Sequence, residues 1–242
     1  MKRFFTALSF LTTVPSPTHD TPQINDLGKS APWFPLIGVL LGISIALIQA
    51  GLAKILPLPV SAVLSTGAWV LLTGGLHLDG LADSFDGLFN ASSPGRRLEI
   101  MKDPRLGTFG GLGLILMVVL KISLLAALPI NSIWLAIPLA ASTARWLLIW
   151  AARQPNARPD GMGAAFKPEL TWMGMLLSSL IPLGLAVISG WRGIAALILG
   201  CMCAAGIFRW ARVRLGGLTG DVFGLLVETV EAVTLLVFVV HF

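Results

Sequence analysis

This chain is short of charge. Of its 242 residues only 12% are charged, against 55% hydrophobic, and the mean hydropathy is +0.84. So small a polar supply excludes an ordinary soluble domain and implies a polytopic membrane protein. Cysteine is nearly missing as well. Cys201 and Cys203 share one apolar run, which excludes a disulfide framework, and without further Cys or His partners their C-x-C spacing reads as small core filling rather than zinc ligation. Histidine is confined to His19, His77 and His241, and G-x-S-x-G, H-E-x-x-H, Walker A and dinucleotide fingerprints are all absent. Acyl transfer, zinc hydrolysis and a soluble-type nucleotide fold therefore lack support.

What the chain does have is apolar length. Runs of about spanning length cover residues 33–56, 60–76, 109–128, 133–150, 172–189, 193–208 and 222–240. The expectation is an all-α bundle of about seven spans, one membrane domain over residues 1–242 with no internal repeat. Lys2, Arg3 and Lys29 precede the first run, and Arg96, Arg97, Lys102 and Arg105 follow the second. Arg153, Arg158 and Lys167 follow the fourth, and Arg209, Arg212 and Arg214 the sixth, whereas the alternate connections are almost uncharged. The positive-inside rule then puts the N-terminus and the three long loops in the cytoplasm.

The first residues, MKRFFTALSFLTTV, are signal-like but lack a small-residue cleavage pattern and run into Pro15-Ser16-Pro17. They read as an interfacial helix, with Phe4, Leu8 and Leu11 on one face and Thr6, Ser9 and Thr13 on a more polar one.

Nearly every acidic residue lies on the expected cytoplasmic side. In TGGLHLDGLADSFDGLF, residues 73–89, the carboxylates Asp79, Asp83 and Asp86 fall within about 60° of one another on a helix. Three like charges at one point need a cation, and carboxylate oxygens suit a hard divalent metal, so Asp79, Asp83 and Asp86 are the expected metal ligands. His77 faces away from them on a regular helix and reads as an interfacial hydrogen-bonding residue. Asp103 lies in the next loop and Asp160 in RPDGMG. Asp221 and Glu228, seven apart, share a helical face near Glu231, and the two glutamates fall inside the bilayer.

Arg145, in the fourth run, has three readings. It is a guanidinium clamp on a phosphate or diphosphate, the structural partner of Asp221 and Glu228 inside the bundle, or an arginine that snorkels to the interface. Glycines crowd the acids, among them Gly80, Gly107, Gly161, Gly163, Gly220 and Gly224. Some serve close helix packing, and those at cytoplasmic helix ends would let backbone approach a bulky phosphate ligand. Carboxylates, a divalent cation, arginines and glycine-rich helix ends point to transfer of a phosphoryl-containing group.

Three blocks go further. GGLHLDGLADSFDGLF, LEIMKDPRLGTFGGLGL and GGLTGDVFGLLVETVE, in this order, together with the opening ALSFLTTVPSP and WFPLIGVLLG, closely resemble cobalamin synthase, the adenosylcobinamide-GDP ribazoletransferase family. The resemblance covers essentially the whole chain. It implies a multi-pass enzyme of the cell inner membrane, with its active site on the cytoplasmic side and Mg2+ as cofactor. The substrates implied are adenosylcobinamide-GDP and α-ribazole or its 5'-phosphate, with no nucleic acid partner. The ribazole 5'-hydroxyl is expected to attack the cobinamide-bound phosphorus, giving adenosylcobalamin or its 5'-phosphate plus GMP.

Carried onto this sequence, the resemblance picks out Asp79, Asp83, Asp86, Asp103, Arg105, Arg145, Asp221, Glu228 and Glu231; we read Asp79, Asp83, Asp86, Asp103, Asp221 and Glu228 as catalytic, and Arg105, Arg145, Glu231 and the glycines Gly161, Gly163 and Gly220 as substrate-binding. Thr13 departs from it, because relatives read L-T-R-x-P where this chain has Leu11-Thr12-Thr13-Val14-Pro15. A CDP-alcohol phosphotransferase is the nearest rival, but its D-G-x2-A-R signature fails at Leu81-Ala82-Asp83. An ion-coupled transporter would account for the intramembrane acids and not for their gathering at one face beside basic loops.

Overall fold

In the computed structural model, which describes residues 1–15, 27–158 and 169–240, the chain is all-helical. In order the helices are α1 (Lys2–Leu11), α2 (Leu27–Ser30), α3 (Phe34–Leu52), α4 (Leu58–Thr73), α5 (Leu76–Phe89) and α6 (Pro94–Ile100). They continue as α7 (Thr108–Ala127), α8 (Ile133–Ala151), α9 (Trp172–Ile188), α10 (Gly190–Leu215) and α11 (Gly220–Val239). Asp160, Gly161, Gly163 and Lys167 lie outside the described residues.

The count of about seven spans is corrected. Five helices are long and apolar enough to cross a membrane, six if α4 and α5 make one broken span, and α9 with 17 residues is shorter. The break explains part of the difference: Gly74 and Gly75 take positive φ (63° and 69°), and the axis turns by 91° between α4 and α5. A left-handed pair of glycines can end one helix and start another within two residues. Thr13 closes this end of α4, its N–H donating to Leu72 O at 2.8 Å and its hydroxyl to Leu71 O at 3.2 Å. The orphan carbonyl of Leu72 is satisfied there, and that of Leu71 gains a second donor beside Gly74 N–H, from the residue that departs from the family pattern.

α1 docks on the bundle. Phe4 meets Trp33 edge to face and Phe10 stacks on Phe34, with Ala7 and Leu11 fully buried. Thr6, expected on the polar face, is buried too, and its hydroxyl donates back to Lys2 O. That internal bond removes the cost of placing it inside.

At the centre stand α8 and α11, each 78% buried over its most apolar stretch, against 33% for α7. Helices in lipid gain no hydrophobic drive from one another and associate where small residues let backbones close up. Gly38 and Gly42 bring α3 onto α8, where an added Cβ would meet Ala141 O at 2.5 Å and Pro138 Cα at 2.4 Å. Gly80 and Gly224 do the same for α5 and α11, where a Cβ on Gly224 would lie 2.9 Å from Gly80 Cα.

The basic connections converge on one end of the bundle. Arg97 donates to Arg214 O, Arg214 to Leu88 O and Arg158 to Leu98 O, while Ala157 N and Leu218 N pair the loop after α8 with the α10–α11 turn.

Candidate active site

The crossing of α5 and α11 builds the site. Because Gly80 lies against Asp221 and Gly224 without a side chain between them, the acids of both helices come to one place; a Cβ at Gly80 would sit 2.8 Å from Asp221 O. Thr219 starts α11, its hydroxyl accepting Val222 N–H at 3.3 Å and donating to the Asp221 carboxylate at 3.2 Å. Arg158 reaches the same carboxylate at 3.4 Å from the loop after α8. Asp79 is exposed and Asp83 half-buried, and Asp83 feels the negative charges of Asp221, Asp79 and Asp86, opposed by Arg158.

A cleft opens here, with Asp79, Asp221, Gly80, Gly220 and Gly224 in its walls. His77 lines it as well. The helical wheel put His77 opposite the aspartates, and the structure corrects this, because the cleft sits where α5 begins and α11 closes over it.

Asp86 departs from the expectation of a single focus. It is buried, and its two carboxylate oxygens accept the N–H groups of Gly107 and Gly110, each at 2.8 Å. The side chain thus anchors the positive end of α7. Among the described residues no three His, Cys, Asp or Glu side chains gather as a metal-holding group. The pair that remains in the cleft walls, Asp79 and Asp221, still fits Mg2+, which is normally held by one or two carboxylates together with water and substrate phosphates.

Asp103 and Arg105 line a neighbouring cleft with Asp86 and Arg96. They are tied to one another, the Arg105 Nε and Nη2 donating to the two Asp103 oxygens at 2.9 and 2.7 Å. This fork holds the Asp103 carboxyl down at about 2.

Glu228, Glu231 and Arg145 are not at the cleft. They lie inside the bundle, where Lys121 meets Glu228 at 2.6 Å and Glu231 at 2.5 Å, and Arg145 pairs with Glu231. The lysine also stands 4.7 Å from the Trp69 ring. Two cations and two anions balance, tying α7, α8 and α11 together. Arg145 is entirely buried, so the geometry favours the structural reading, with Glu231 in place of Glu228 as its partner.

Sequence reasoning missed Lys121 and Arg158. Lys121 is a lone cation within an apolar run, and its signal was that an intramembrane charge demands a partner. Arg158 is the first residue of RPDGMG, and its position in a basic loop marks topology without revealing its meeting with Asp221.

Fold and site together define a polytopic helical membrane protein with a carboxylate cleft at its basic end. Residues 3–239 match the family described as cobalamin-5-phosphate synthase, and the chain belongs to that family. Similar proteins named adenosylcobinamide-GDP ribazoletransferase occur in Roseiflexus sp. (strain RS-1), 38% identical over 95% of this chain and 86% of the relative. Others are found in Desulfitobacterium hafniense (strain Y51), 37% identical over 98% and 96%, and in Escherichia coli (strain K12 / DH10B), 37% identical over 97% and 98%. No solved structure matches.

Proposed function

We propose that this chain is an adenosylcobinamide-GDP ribazoletransferase, moving the cobinamide phosphate of adenosylcobinamide-GDP onto a ribose hydroxyl of α-ribazole or its 5'-phosphate and releasing GMP. Full-length membership of the family carries the activity. The single structural observation behind the site is the Gly80–Gly224 crossing that brings Asp79 and Asp221 into the walls of one cleft, with the charge of Asp83 close enough to feel them.

Two points refine the sequence reading. The family is described by a product that keeps a 5-phosphate. An acceptor already esterified at its 5' position has no 5'-hydroxyl to attack, so the nucleophile is another ribose hydroxyl. One phosphorus–oxygen bond forms to that hydroxyl, the bond to the GMP phosphate breaks, and the hydroxyl proton passes to a neighbouring carboxylate.

Asp79 and Asp221, the two carboxylates in the walls of the cleft, would hold Mg2+ together with substrate phosphates, and the ion would neutralise the diphosphate and ease departure of the phosphate leaving group. Arg158 holds the Asp221 carboxylate in place and adds positive charge beside the diphosphate. Arg105, with its side chain 87% exposed, is free to approach phosphate from the neighbouring cleft while Asp103 orients it. Gly220 leaves the backbone at the start of α11 open to the ligand.

The active site lies on the cytoplasmic side of the cell inner membrane in this reading. The convergence of Arg97, Arg158 and Arg214 at the site's end of the bundle supports that placement. Protein in liposomes, given adenosylcobinamide-GDP, α-ribazole 5'-phosphate and Mg2+, should release GMP only when both substrates are present. GMP release without the ribazole substrate would refute the transfer.

A further inference from the structure

We infer that the cleft beside Asp79 and Asp221 is the pocket for the base of the ribazole substrate, and that Phe10, Leu148 and Phe223 select a fused, apolar aromatic ring. The inference rests on the transferase reading above.

The cleft walls combine two kinds of chemistry. Asp79 and Asp221 supply carboxylates, whereas Phe10 from α1, Leu148 from α8, and Leu76 and Phe223 from the helices that carry the acids supply apolar surface. Leu148 and Phe223 are buried, and Phe10 is held by stacking on Phe34, so these walls are set before any ligand arrives. Among the polar side chains in the walls, His77 is the one without a charge to contribute by acid ionisation. It is 4% exposed, and its Nε2 has no hydrogen-bond partner among the described residues. An unpartnered buried ring nitrogen is costly unless something completes it.

Three parts of the two substrates compete for this space. A corrin is far larger than a cleft of this lining and carries many amides that need partners. Guanine presents oxo and amino groups along its edges, and aliphatic and aromatic walls would leave most of them unpaired. The benzimidazole of α-ribazole is a flat fused ring without exocyclic polar groups. It matches aromatic and aliphatic walls, which reward ring burial and offset stacking. With the base among Phe10, Leu148 and Phe223, the attached ribose falls by Asp79 and Asp221, where its hydroxyl must be for attack on phosphorus.

Binding and turnover are measured separately on the full chain in liposomes. Equilibrium dialysis reads α-ribazole affinity, and GMP release reads KM for each substrate. Phe10→Ala removes one wall, and Leu148→Phe narrows the pocket from α8 without touching the seating of α1. Both should weaken α-ribazole binding about tenfold, leaving KM for adenosylcobinamide-GDP within about twofold. The wild type should also prefer α-ribazole over the riboside of plain imidazole, and Phe10→Ala should shrink that preference. The assignment is overturned if α-ribazole does not bind the wild type, if neither variant weakens it, or if the KM for adenosylcobinamide-GDP moves instead. Wild-type protein that binds α-ribazole yet releases no GMP would sink the transferase reading alone, and the variants would still decide the pocket by affinity.

Discussion

α11 carries two sets of acids two helical turns apart, and they live under opposite rules. At its start, Asp221 joins Asp79 and Asp83, with Arg158 the cation that opposes them among the described residues. Deeper in, Glu228 and Glu231 are matched by Lys121 and Arg145. The outer set has more negative charge than the protein neutralises, so it is suited to taking a cation from solution. The inner set is closed. Its positive partners stand on α7 and α8, which makes it a fastening between the central helix and its neighbours. Carboxylates of one helix therefore divide into chemistry and architecture according to what neutralises them, and burial alone does not separate the two.

The inner set should give the largest effect. Arg145→Leu leaves Glu231 sharing Lys121 with Glu228, two anions on one cation in a buried place. Breaking such a pair costs about 3–5 kcal/mol, enough to lower the thermal midpoint sharply in detergent. Adding Glu231→Gln restores the balance, leaving Lys121 with Glu228, and should recover most of the lost stability. A double variant as unstable as the single one would show that Arg145 is held by something besides its charge.

For the outer set the signature inverts. Asp83→Asn and Asp221→Asn should each cut GMP release by about a hundredfold or more and raise the Mg2+ requirement, while thermal stability moves by less than about 1 kcal/mol. Removing a carboxylate from a crowd of like charges relieves repulsion, so a small gain in stability is the expected sign. Wild-type turnover in both variants would erase the distinction between the two sets.

How far the sequence could see this division follows from the same physics. Hydropathy marks apolar length, so the seven helices were legible, but not the turn at Gly74–Gly75 that folds α5 across the end of α4. The helical wheel placed Asp79, Asp83 and Asp86 on one face correctly as angles. It could not show that Asp86 points into the start of α7, because that depends on where a neighbouring helix begins. Asp221 was found as an acid at a helix end, yet its meeting with Asp79 needed the Gly80–Gly224 crossing, a tertiary contact. Likewise Arg145 was known to need a partner, and α7's Lys121, which takes over Glu228, left Glu231 for it.

Asp103 offers a third condition, an acid neutralised at the surface, and the smallest expected effect. Its carboxyl is held at about 2 by the Arg105 fork, below the roughly 3.9 of an unfolded aspartate. A carboxyl depressed by folding contributes stability that is fully present above the unfolded value and disappears as pH falls through the folded one. The pair should therefore remain intact from neutral pH down to about 4 and be lost only as pH approaches 2. Arg105 is 87% exposed on its side chain, so solvent and salt screen the pair, and no measurable change in thermal midpoint is expected for Arg105→Gln at neutral pH. What should change is the titration. With the fork removed, the Asp103 carboxylate followed by infrared or NMR should rise toward the ordinary range. A titration that stays near 2 in Arg105→Gln would mean that a different group holds Asp103, and the surface pair would no longer serve as the contrast to the buried one.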